Sequence, residues 1–101
     1  MSSSNINFSS PFVRKFTHSD TTISTTVVTV LAVAVTPERR IVVIIQNQHP
    51  TAVVTVILNA TGSSGIKLKA GETVSLDNYN GIVRCSSTTA TTVVHIAYAT
   101  A

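Results

Sequence analysis

Runs of β-branched residues, cut at short intervals by turn-forming clusters, constrain this chain more than any other feature. Val, Ile and Thr are stiff at χ1 and fit a pleated surface better than a helix. The longest run, Ile23 to Val35, ends at Pro37, which cannot donate to a strand ladder. Arg40 to Gln46 follows, with Ile41, Val43 and Ile45 alternating against Val42 and Ile44. Both of its faces are apolar, so this segment is expected to be a central strand covered on both sides. After the turn residues Asn47-Gln48-His49-Pro50 comes Ala52 to Leu58, expected to be its hairpin partner. Shorter runs at Ile66 to Leu68, Thr73 to Leu76, Ile82 to Ser86 and Thr92 to Ala99 complete the series. Their connections are rich in Gly, Asn, Asp, Ser and Thr. Turn signals roughly every 8–12 residues predict an all-β fold: an antiparallel β-sandwich, jelly-roll-like, of about seven or eight strands.

With 101 residues the chain holds one core, and a hydrophobic content of 44% is enough to build it. Charged residues are only 11%, against roughly 25% in an average soluble domain. So sparse a charged surface suits either a neutral Thr-rich solvent face or a surface covered by partner subunits. The net charge of +3 comes from scattered residues and lacks the dense basic stripe with stacking aromatics that nucleic-acid binding requires. No run approaches the length of a membrane-spanning helix, and the Met1 to Asn5 start lacks the features of a signal peptide. A soluble protein made in a cytoplasm is expected, with no nucleic-acid or membrane partner.

Residues 1–22 differ from the remainder and are expected to form an N-terminal arm preceding a sandwich domain at 23–101. All three phenylalanines, Phe8, Phe12 and Phe16, fall in this segment. Ser10 and Pro11 are placed to start a short helix with Phe12 and Phe16 on one face. The competing reading is an extended arm whose Phe side chains plug into a neighbour, since each buried aromatic removes about 150–250 Å² from water. In that reading Phe8, Phe12 and Phe16 are apolar anchors, and Arg14 and Lys15 pair with acidic partner surface.

No catalytic motif emerges, and the chain is not expected to be an enzyme. His18-Ser19-Asp20 has the residue types of a hydrolase triad, but adjacent residues do not converge with triad geometry, and a polar linker is the simpler reading. His18, His49 and His95 have no close-spaced pairing that suggests a metal, and His95 lies inside a strand as a satisfied sheet histidine. Asp77-Asn78-Tyr79-Asn80-Gly81 fails the calcium-loop template and reads as a turn. The single cysteine, Cys85, excludes an intrachain disulfide and a thiolate zinc cluster, and reads as a small buried apolar group. No cofactor or metal is expected.

Two stretches carry a resemblance. One is Pro37-Glu38-Arg39-Arg40 leading into Ile44-Ile45-Gln46-Asn47. The other runs from Gly65-Ile66-Lys67-Leu68-Lys69-Ala70-Gly71-Glu72 through Leu76, Tyr79 and Gly81-Ile82-Val83 to a closing Val-rich strand ending near Tyr98. Together, over about residues 37–99, they resemble the small β-sandwich virion proteins of tailed bacteriophages, including capsid decoration (cement) proteins. The resemblance implies a non-enzymatic, often trimeric protein on the outside of the virion. There it would stabilise the shell by bridging subunits of the major capsid protein. A fibre or tail-tip subunit that binds a receptor or carbohydrate is the alternative. For it, Tyr79 with Asp77, Asn78 and Asn80 is the candidate ligand-binding group, since sugar sites combine an aromatic with polar hydrogen-bonding side chains.

Overall fold

The computed structural model describes residues 15–35 and 38–101. They form eight strands: β1 (Lys15–Ile23), β2 (Val28–Leu31), β3 (Arg40–Asn47), β4 (Val54–Ile57), β5 (Ile66–Leu68), β6 (Thr73–Asp77), β7 (Val83–Ser87) and β8 (Thr92–Thr100). Two four-stranded antiparallel sheets result, ordered β1-β8-β3-β6 and β2-β7-β4-β5. First pairs with last, second with seventh, third with sixth and fourth with fifth, as if one long hairpin had been rolled up. Additional β3–β8 and β4–β7 pairings close each sheet. This is the jelly-roll order of two interlocked Greek keys. The expected all-β sandwich is therefore present, with eight strands.

Alternation in each strand supplies the core. Val43 and Ile45 of β3 and Val94 and Ile96 of β8 meet Val54 and Val56 of β4, Val83 and Cys85 of β7 and Leu68 of β5. Each fully buried side chain of this kind contributes about 1.5–3 kcal/mol relative to exposure. Burial pushes the Cys85 thiol up to about 12, so it behaves as the expected inert apolar group.

Three expectations are corrected. The run from Ile23 to Val35 is not one strand: Ile23 ends β1, and a bend at Ser24 to Val27 carries the chain to β2 in the other sheet. Nor does the expected arm extend to residue 22. Residues 15–22 make up most of β1, paired along its length with β8, whose backbone otherwise has an open edge. Phe16 is accordingly in a strand and not on a helix; Phe8, Phe12 and Arg14 lie outside the described residues.

Third, β3 and β4 are not hairpin partners, because they belong to opposite sheets. Asn47 is the reason. Fully buried, its Nδ2 donates to the carbonyls of Ala52 (2.8 Å) and Leu68 (3.0 Å), and its Oδ1 accepts from the His49 N–H (2.9 Å). His49 Nδ1 in turn accepts from the backbone N–H groups of Thr51 (3.0 Å) and Ala52 (2.8 Å). The segment after β3 is thereby shaped into a crossing between sheets.

The opposite end of the sandwich is tied by Arg40, which is 3% exposed. Its guanidinium donates to the carbonyls of Gly81 and Ala32, lies 5.2 Å from the centroid of the Tyr98 ring and sits 3.6 Å from Glu38. One side chain thus joins the exit of β2, the start of β3 and the β6–β7 turn.

Candidate interaction face

Strand register decides which side chains share the outer face of the β1-β8-β3-β6 sheet. Phe16, Ala99, Val42 and Asp77 form one row across the four strands. His18, Ala97, Ile44 and Ser75 form the next, and Asp20, His95, Gln46 and Thr73 the third. Ala97 and Ala99 are buried although they face outward, because larger neighbours on β1 and β3 close over them. Phe16 remains 48% exposed, and Val42 and Ile44 are half-buried. An apolar surface is thus presented at the β1 side, bordered by polar side chains toward Thr73 and Asp77.

A chain that runs diagonally across the three rows carries the most specific geometry. His95 Nδ1 lies 2.6 Å from Asp20 Oδ1, and its Nε2 lies 3.0 Å from His18 Nδ1. The His18 ring stacks in turn on Phe16, with centroids 5.9 Å apart. Position 95 behaves as the satisfied sheet histidine expected, but the partners come from β1. The segment His18-Ser19-Asp20 is therefore not a linker: His18 and Asp20, two residues apart, point the same way, while Ser19 has the opposite parity. Carboxylate, imidazole and imidazole form a chain that, among the described residues, has no hydroxyl nucleophile in line. Its members are strung along the face and do not converge on a point. Among the described residues no group of three His, Cys, Asp or Glu side chains is arranged to hold a metal ion.

Of the expected anchors, Lys15 and Phe16 are both exposed at the start of β1. The turn suggested for sugar binding is engaged in bracing the fold. Tyr79 packs its ring against the core and Gly81, and its hydroxyl lies within hydrogen-bond distance of the carbonyls of Leu58 and Ile82. Burial raises its pKa, partly offset by the nearby Arg40 charge. Asn80 Oδ1 accepts from the Arg40 N–H (2.7 Å), and Asn78 takes a left-handed φ of 53° while its N–H donates to the Ile41 carbonyl (2.7 Å). Asp77, exposed at the end of β6, is opposite Val42.

Sequence reasoning missed the His18–His95–Asp20 chain. Its one legible signal was the i, i+2 spacing of His18 and Asp20 on a strand-compatible segment; the partner strand was not legible. No protein-family model, curated protein or solved structure matches the chain.

Proposed function

We propose that this domain is a non-catalytic virion subunit, a capsid decoration protein that binds the outside of a tailed-phage capsid and bridges subunits of the major capsid protein. The observation that carries the reading is the outer face of the β1-β8-β3-β6 sheet. It exposes Phe16, with half-buried Val42 and Ile44 two strands away on the same face, at the edge where the first 14 residues join the sandwich. Sequence adds Phe8 and Phe12 to that segment, with Arg14 and Lys15 next to Phe16. Apolar anchors flanked by cations suit a partner surface that is apolar at its centre and acidic at its rim. The jelly-roll order is shared by viral capsid and lectin domains, which supports the reading by analogy of fold alone. Association as a trimer on the virion surface belongs to the same proposal.

Co-sedimentation with expanded capsids tests it. The full chain is expected to pellet with capsids and to raise their resistance to heat. Removal of residues 1–14, or Phe16→Ser, is expected to abolish co-sedimentation while leaving the sandwich folded. A protein that stays in the supernatant with intact capsids overturns the proposal. The fibre or tail-tip reading has weaker support, because Tyr79 is committed to the core and to backbone carbonyls.

A further inference from the structure

Strand β1 is the least embedded strand of its sheet. Of its nine residues only Ile23 is buried, and six are exposed. Beyond its backbone ladder and Ile23, the side-chain tie to β8 is the chain in which Asp20 and His18, from adjacent rows, grip His95 through its two ring nitrogens. We infer that this chain is a proton-sensitive latch that holds the edge strand β1 on the sandwich. The inference is independent of which partner the domain binds.

The argument is a count of protons. Asp20 accepts from His95 Nδ1–H. The 3.0 Å contact between His95 Nε2 and His18 Nδ1 has room for one proton, so one nitrogen donates and the other accepts. With His95 neutral, His18 donates, whether it is neutral or cationic. With His95 cationic, His95 donates and a neutral His18 accepts. Both bonds therefore survive one added proton. A second sets N–H against N–H, destroys the bond between the rings, and leaves two cations with centroids 5.2 Å apart.

Among the described residues, little on this face offsets that second charge. The outward residues of β8 are Val93, Ala97 and Ala99 besides His95, and those of β3 are Val42, Ile44 and Gln46. Asp20 is already bonded, and Asp77 lies across β3 on the far edge strand, in the row of Phe16. Lys15 has the opposite parity on β1. Phe16 offers a ring face to His18 and so helps to hold one cation, not two. Acidification supplies that second proton, so it is the condition that opens the latch.

Amide hydrogen exchange on the full chain at pH 7.5 and pH 5.0, corrected for intrinsic exchange, tests this. Protection of β1 amides is expected to be lower at pH 5.0 than at pH 7.5, while β3 amides keep theirs. In His95→Gln, which cannot take up the second proton, β1 protection is expected to be the same at both pH values. Unchanged β1 protection in the natural chain overturns the inference. So does a fall of equal size in His95→Gln, because the proton then acts elsewhere.

Discussion

The outer face of the β1-β8-β3-β6 sheet leaves Phe16 half exposed, whereas the outer face of the β2-β7-β4-β5 sheet buries Ile57 completely. Both faces carry β-branched residues on their central strands. The difference lies in what the chain lays over them. Ile57 pairs with Arg84, whose guanidinium donates to the carbonyls of Asn59 and Gly62, each at 3.1 Å, and draws the β4–β5 loop back over this corner. Gly65 completes the approach, since a Cβ there would overlap the Val56 carbonyl. Thr55, on the same face, is covered as well and accepts from Lys67 Nζ at 3.3 Å. Among the described residues no comparable loop is drawn over Val42 and Ile44, which stay half-buried. The outer face of β4 is thus covered by its own chain among the described residues, while that of β3 is not.

This contrast is open to direct attack. The largest effect is expected from Ile57→Ala, which should cost about 2–4 kcal/mol in urea denaturation because it empties a fully enclosed site. Ile44→Ala should cost about 1 kcal/mol, as it removes a side chain already in partial contact with water. Equal costs would mean that the two faces are not differently covered.

Alkaline titration sharpens the comparison from the other side. Cys85 on the inner face of the second sheet, and Tyr79 in the β6–β7 turn, keep their protons in the folded state to higher pH than in the unfolded chain. Stability is thus fully present below pH 9 and is lost as pH rises toward about 12, where the buried thiol ionises. Cys85→Ala should flatten that loss, and a curve identical to that of the natural chain would show that the thiol is not desolvated. The acid-side response is expected in β1 and the alkaline one in the second sheet.

Arg84→Ala is likewise expected to cost about 1 kcal/mol, with faster proteolytic cleavage in residues 59–65 as the specific readout. An uncut loop would mean that Arg84 does not hold it down. Phe16→Ser is expected to change stability by no more than about 0.5 kcal/mol, the range for exposed positions. A larger loss would mean that Phe16 supports the fold and is not reserved for a partner.

Strand positions were legible wherever alternation and turn chemistry agreed. Lys69-Ala70-Gly71-Glu72 is the clearest case. The Glu72 N–H donates to the Lys69 carbonyl, and Gly71 takes the φ of +79° that such a turn demands, with the Glu72 carboxylate accepting from the Lys69 N–H. Ile23 to Val35 failed because Thr is equally at home in a strand and in a bend, so composition did not mark Ser24-Thr25-Thr26 as a break. β1 was missed because a polar edge strand carries only one buried residue, and hydrophobic alternation has almost nothing to report there.

What the sequence by itself determined is local: that the segments from Arg40 onward extend where alternation and turn chemistry agree, that side chains of such a segment alternate between two faces, and that Cys85 is a packing residue. Period-two alternation follows from backbone geometry and needs no partner to be read. Neighbourhood was decided only by the tertiary structure. His18 meets His95 across 77 positions of sequence, and β3 passes over its nearest strand to pair with β6 and β8. Parity assigns a side chain to a face but does not say which strand lies beside it. That choice came from the rolled pairing of first with last, and from a buried Asn47 whose carbonyl partners exist only once β4 and β5 have crossed to the other sheet.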